Sequence, residues 1–280
     1  MKSRLNRFSS VLLIVVSSLL GVYSFIYPFF TPNFQQSASP VGIRTTESPL
    51  IFVLVLGMCV LALLFEAQQG ASSARLVALA GVLLAVNSVL RFIEVAIPGP
   101  GGFSPIFFLI ILSGYIYGAK FGFLIGALTL FVSALITGGM GPWLPSQMFT
   151  AGWVGMSAAP LAVLSRWLGW ENKRAEVLLL AGWGALCGIG YGAVMNLWSW
   201  PFLVGTPDQY WQPGIGLRDT LQRYAAFYLA TSLVWDLGSS AGNVLLLGFF
   251  GNAALRVLRR FQKRFQFQWE AAGVFDEKTA

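Results

Sequence analysis

The chain contains no histidine. That absence removes histidine-ligated metals and haem, and every Ser-His or Cys-His nucleophile scheme. Cysteine is scarce. The two present, Cys59 and Cys187, both lie in apolar stretches. Two isolated cysteines make neither a disulfide framework nor a metal site, and they read as small core or lipid-buried residues. No GxxxxGK[ST] loop occurs, so the chain has no route of that kind to ATP. Charge is scarce as well. Only 10% of the 280 residues are Asp, Glu, Lys or Arg, against roughly 25% in a soluble domain. No catalytic residue, metal or cofactor is expected.

What remains is 56% hydrophobic. The expected fold is all-α, a polytopic membrane helix bundle with no room for a soluble domain. A span needs about 20 apolar residues. Candidates lie near 10–30, 50–66, 75–97, 104–119, 121–138, 146–168, 177–200 and 224–252, which makes about eight transmembrane helices. The segments at 104–119 and 121–138 are short, so tilt or shielding by protein is expected there. The first segment follows Lys2, Arg4 and Arg7, and its apolar run reaches Phe30 with no clean small-x-small site after it. It reads as an anchor rather than a cleaved signal peptide.

Net charge is +7, but the cations sit at segment ends, as topology requires, rather than on a phosphate-binding face. With eight spans, Lys2, Arg4, Arg7, Arg75, Lys120, Arg166, Lys173, Arg174, Arg256, Arg259, Arg260, Lys263 and Arg264 all fall on one side. That side is cytoplasmic, both termini are inside, and the protein is expected in the plasma membrane. The stretch 256–268, RVLRRFQKRFQFQ, continues the last helix and is expected to lie on the anionic inner leaflet, with no nucleic-acid partner. The domain reading is an N-terminal helix pair at 1–70, a six-helix membrane core at 71–255 and a basic tail at 256–280.

Several patterns stand out against the apolar background. Ala74, Ala78, Gly81, Ala85 and Ser88 recur at steps of 4, 3, 4 and 3, on one stripe of a helix. In lipid such a stripe is a docking face, either for a partner or for neighbouring helices of the same chain. Gly114, Gly118, Gly122 and Gly126 bracket a tight turn at Lys120 and read as hairpin packing. Asn87, Arg91 and Glu94 are successive turns of one helix. There Arg91 either pairs with Glu94 or meets an anionic substrate. The loop 138–147, GGMGPWLPSQ, combines Trp143 and Gln147 in a constrained backbone, and Trp153 follows in the next helix. Rigid aromatic walls with a few polar groups make a small-molecule site. Asp236, Ser239, Ser240 and Asn243 form a polar stripe that lines a cavity or bonds helices together, and Asn196 is placed to join it. The long outer connection 201–223 carries Tyr210 and Trp211 and reads as a lid.

Taken in order, these motifs resemble the substrate-binding S component of energy-coupling factor (ECF) vitamin transporters. The likeness covers about 74 to 264 and rests on Ala74-x-x-x-Ala78, the hairpin SGYIYGAKFGFLIGAL at 113–128, GPW-x-P-x-Q-M at 141–148, and TSLVWD with Asn243 at 231–243. The resemblance implies a vitamin held in an outward cavity under 98–103, 138–147 and 201–223. It implies docking through the alanine motif onto a membrane T component, powered by two ATP-binding cassette ATPases. The GPW loop is most like members assigned to cobalamin or related corrinoids. The two helices before the core are a departure from the family pattern, because they make the docking motif internal.

On this reading the chain is not an enzyme. It is a passive substrate-binding subunit, with Asn87, Arg91, Trp143, Gln147, Trp153, Asn196, Trp211, Asp236 and Asn243 as substrate-side candidates. A self-contained secondary carrier coupled through Arg91, Glu94 and Asp236 is one rival, and a ligand-free assembly subunit is another.

Overall fold

The computed structural model describes residues 2–26, 29, 53–54, 57, 71–97, 102–141, 143–202, 206, 208–212 and 214–274, with 2–11, 13–14, 71–74, 202 and 264–274 as backbone alone. Among these residues the chain forms nine α-helices and no strand. They are α1 (Lys2–Ile26), α2 (Ala71–Ala96), α3 (Ile106–Tyr117), α4 (Ala119–Thr137), α5 (Leu144–Ser157), α6 (Ala159–Trp167), α7 (Arg174–Ser199), α8 (Leu217–Thr231) and α9 (Leu233–Val274).

Five stretches are long and apolar enough to cross a membrane: Arg75–Ala96, Ala119–Thr137, Leu144–Trp167, Arg174–Ser199 and Leu233–Lys263. Val15–Ile26 and Ile106–Tyr117 are apolar but shorter. The expected span at 50–66 lies outside the described residues, apart from Val53, Leu54 and Gly57. The described residues therefore establish an all-helical chain with five candidate spans rather than a count of eight.

The short α3 occupies the centre. Twelve residues rise only about 18 Å, too little for a hydrocarbon layer of about 30 Å. Nine of the twelve are buried, so protein rather than lipid surrounds it. It packs against α4, α5 and α9, and the heaviest interfaces of the bundle are α4 on α5 and α7 on α9. Ile110, Ile111, Ile125, Met148, Phe149 and Leu180 are fully buried in the resulting core.

The glycine repeat sets the spacing. Gly118 ends α3 and starts α4 with φ 93°, a left-handed conformation that a Cβ resists. Cβ atoms on Gly114, Gly122 or Gly126 would overlap the backbone of Gly155 or Ala151 in α5. The hairpin thus meets α5 backbone to backbone, as small residues permit in membranes.

Two elements differ from the sequence expectation. The span expected at 146–168 is present as Leu144–Trp167, but it is built of two helices, α5 and α6, broken at Ala158 just before Pro160, whose ring and missing N–H disfavour an unbroken helix. The connection expected at 201–223 and the span at 224–252 are divided differently. Helix α8 begins at Leu217, inside the expected loop, and ends at Thr231; Ser232 (φ −126°) separates it from α9, which starts at Leu233. The apolar run 224–231 belongs to the amphipathic α8, which packs its aromatic side inward. It does not extend the last span.

Candidate substrate face and docking ridge

Near the end of α2 the ionisable residues are already paired. Arg91 forms an ion pair with Glu94, and the Ser104 hydroxyl donates to the second Glu94 oxygen at 2.8 Å. Asn87 is fully buried. Its amide donates to Thr129 Oγ1 at 3.2 Å and to the Ile106 carbonyl at 3.4 Å, tying α2 to α4 and to the start of α3. The connection 102–104 reaches across to α9. A Cβ on Gly102 would meet the Trp235 carbonyl oxygen at 2.6 Å, and the Phe103 ring lies over Gly242. Tyr191 of α7 stands against Phe107, with ring centroids 4.8 Å apart, within electrostatic reach of Arg91 and Glu94.

The polar stripe of α9 is spent largely on α7. Asn243 donates to the Gly184 carbonyl at 2.9 Å and Ser240 to the Ala185 carbonyl at 2.7 Å. Asp236 is 7% exposed and accepts from Ser232 at 2.9 Å, with the buried Tyr228 hydroxyl beside it. The approach is possible because Gly184, Gly188 and Gly192 of α7 recur every four residues and face this stripe. A Cβ on Gly188 would sit 2.6 Å from Ser240 Oγ, and one on Gly192 would overlap the Asp236 carboxylate. This glycine spacing is visible in the sequence but was not among the motifs singled out. Gly188→Val is expected to cost about 1–3 kcal/mol through overpacking, read as a lowered thermal midpoint in detergent. An unchanged midpoint would show that the seam is not packed this way. One turn further along, Asn196 exchanges hydrogen bonds with Thr231 of α8 at 3.1 and 3.2 Å.

Beyond that seam lies an aromatic cluster. Trp200 is 1% exposed and donates to the Gln209 carbonyl at 2.8 Å. Its ring packs on Tyr224 (5.2 Å), Phe227 (6.4 Å) and Phe29 (6.0 Å), and Phe29 meets Trp211 edge-on at 5.5 Å. Arg223 donates to the Tyr210 carbonyl at 3.3 Å and lies 5.8 Å from that ring's centre. The Thr206 hydroxyl and a backbone N–H hold the exposed Asp208 carboxyl below its ordinary value.

The remaining candidates lie on α5. Trp143 is 36% exposed just before the helix, and its ring fills the space over Gly141. The Gln147 backbone N–H donates to the Trp143 carbonyl at 3.0 Å. Trp153 turns toward α1: it donates to Ser18 Oγ at 3.2 Å and packs between Phe25 and Phe149. The nine candidates thus form three groups. Asn196, Trp211, Asp236 and Asn243 follow α7 to α9, Asn87 and Arg91 belong to α2, and Trp143, Gln147 and Trp153 belong to α5.

Among the described residues the small-residue stripe of α2 is largely open. Ala78, Gly81 and Ala85 are exposed, together with Val82, Val86 and Val89, and a Cβ on Gly81 would meet nothing within 4 Å. Leu79, Leu83 and Asn87 hold the opposite face in the bundle. Ser88 is 1% exposed, so the open ridge stops at Ala85. Ala74 is among the residues described as backbone alone. Helix α1 packs on α5 and α4.

Sequence reasoning missed a polar clamp at the far end. Glu176 is 1% exposed. It receives both Arg259 guanidinium nitrogens, the Tyr115 hydroxyl and the Asn172 backbone N–H (2.8 Å). Asn172 Oδ1 also accepts from Arg259 at 2.8 Å. The Tyr117 hydroxyl donates to the Leu258 carbonyl at 2.8 Å, and the Gln262 amide donates to the Ile116 carbonyl at 2.7 Å. The lone acidic residue opening the 177–200 segment was the available signal, but its partner lies 83 residues away.

Among the described residues no group of three or more Cys, Asp or Glu is arranged to hold a metal. No curated protein and no solved structure matches the chain. The family model described as "ECF transporter, substrate-specific component" matches residues 75–248, well over half of the chain. That stretch runs from the base of the α2 ridge to the α7–α9 seam, and the chain belongs to the substrate-specific components of ECF transporters.

Proposed function

We propose that this protein is the binding subunit of an ATP-driven uptake transporter in the plasma membrane. It captures a vitamin or related micronutrient from outside and passes it to a T component carrying two ATPases. ECF substrate-specific components bind small molecules and work with such partners, and they are transport subunits rather than an enzyme class. The observation that carries the proposal is the α2 ridge, an open strip of Ala78, Gly81 and Ala85 on a membrane helix of a passive receptor.

Both termini are assigned to the cytoplasm by the distribution of Lys and Arg. The six-helix core is assigned to 71–255, preceded by a helix pair at 1–70 and followed by the basic segment 256–280. We place the substrate side at Trp143, Gln147, Arg91, Asn196, Trp211 and Asp236, because aromatic rings with a few polar groups are what a small-molecule site needs. Trp153, Asn87 and Asn243 border it and support it through helix-to-helix bonds. Ligand exchange requires an affinity difference between two states, and the ATPases supply the work. The substrate we assign is a corrinoid such as cobalamin, on the likeness of the 138–147 loop.

Mass spectrometry of the protein purified in mild detergent is expected to find a copurified micronutrient. Trp143→Ala is expected to weaken binding of that compound about tenfold, near 1.4 kcal/mol. Protein that carries no small organic molecule, and whose melting no vitamin shifts, would refute the assignment. Cobalamin binding with no Trp143 effect would remove only that residue.

A further inference from the structure

The break between α5 and α6 opens a groove on the outside of the bundle. Ala119 and Met156 line it on one side, and Pro160, Val163, Leu164 and Trp167 of α6 on the other, around a volume of about 850 Å³. The four α6 positions are i, i+3, i+4 and i+7, which is one face of the helix. Leu161 and Ser165, on the opposite face, are buried. The volume falls within the roughly 300–1,000 Å³ typical of small-molecule sites.

The lining selects the chemistry of the occupant. It holds no charged and no amide side chain. Its hydroxyl, on Ser157, already donates to the Val154 carbonyl at 2.8 Å. A polar solute or a non-helical peptide would leave its own hydrogen-bonding groups unmet there, which is costly. The groove also lies along the candidate span Leu144–Trp167, where the surroundings are hydrocarbon. An acyl chain meets both conditions.

The end of the groove carries charge of one sign. Trp167 is 81% exposed at the close of α6, a placement suited to the membrane–water interface. Arg166 is exposed beside it, and Lys120 follows the lining residue Ala119. Residues 95–170 contain no Asp or Glu, and Glu171 is followed by Lys173 and Arg174. The cation distribution assigns this end to the cytoplasm, where the leaflet is anionic and basic pockets between helices take lipid headgroups.

From the groove and the cations at its end we infer that one anionic phospholipid binds here, with an acyl chain between α4, α5 and α6 and its phosphate at Arg166 and Lys120. The site is additional to the substrate face. It rests on the membrane topology proposed above and not on the identity of the substrate. A lipid bound only by the folded bundle stabilises that bundle.

The test loads the delipidated full chain with phosphatidylglycerol or phosphatidylcholine and counts retained lipids by native mass spectrometry. One phosphatidylglycerol per chain is expected, preferred over phosphatidylcholine about tenfold. Arg166→Gln should cut that preference about fivefold, the usual effect of one cation at a membrane surface, and leave phosphatidylcholine retention unchanged. Val163→Trp, which fills the groove from an exposed position, should lose both lipids, while Leu178→Trp on the exposed side of α7 keeps the parental count. Phosphatidylglycerol should raise the thermal midpoint of the parent and not that of Val163→Trp. No preference in the parent, or one that Arg166→Gln and Val163→Trp both leave intact, would overturn the site. Loss of T-component binding in Val163→Trp with an unchanged lipid count would also overturn it, since the groove would then be a protein contact.

Discussion

Glu176→Ala is expected to lower the unfolding free energy by about 3 kcal/mol, read as a large fall in the thermal midpoint in detergent. Deleting one member of a buried ion pair strands the other in a poor solvent, and such losses run to roughly 3–5 kcal/mol. Here Glu176 is 1% exposed but Arg259 keeps 18% of its side chain exposed, which places the effect at the low end. The loss is not confined to one bond, because the Tyr115 hydroxyl and the Asn172 N–H both point at the same carboxylate. Replacing both charges, Glu176→Met with Arg259→Met, is expected to recover much of the stability, since a packed apolar pair carries no stranded charge. A double variant as unstable as the sum of the singles would show that the two residues do not act as a pair. The clamp joins the end of α3, the start of α7 and the long α9, so its loss should also loosen the far portion of α9.

Ala78→Trp is expected to abolish uptake and assembly with the T component while substrate binding and melting stay at parental values. Ala78 is exposed among the described residues, so the larger side chain is expected to leave the packing of the bundle intact. The effect must then arise at a surface another protein approaches closely. Gly81→Leu, at a position where a Cβ meets nothing within 4 Å, should behave in the same way. Normal uptake by both variants would remove the ridge from the docking surface. Weakened substrate binding would show instead that α2 reaches the substrate directly.

Some features were legible in the sequence because they depend on local spacing. The alignment of Ala78, Gly81 and Ala85 on one stripe follows from helical periodicity alone. The hairpin at Gly118 is equally local, since one left-handed turn and glycines every four residues suffice to describe it. Ser88 shows the limit. Its spacing places it on the ridge, yet the bundle covers it.

The polar stripe on the last helix shows the same limit at larger scale. Asp236, Ser240 and Asn243 share a face in any helix, but cavity lining and helix bonding make identical demands on spacing. The α7 glycines, more than 40 residues earlier, admit the α7 backbone to this face. The division between α8 and α9 was hidden for another reason. Hydropathy merges the apolar side of an amphipathic helix with the span that follows it.

Composition and periodicity alone determined that this is a helical membrane chain, that it lacks the residues for histidine or P-loop chemistry, and that one helix carries a stripe of small residues. Those properties belong to short stretches, where the neighbours of each residue are known in advance. Only the tertiary structure decided that Arg91 is already neutralised by Glu94, that Trp153 turns toward α1, and that Glu176 is held by a residue from the other end of the core. Each depends on which helices meet, and buried polar groups take whichever partner the packing brings within hydrogen-bonding distance.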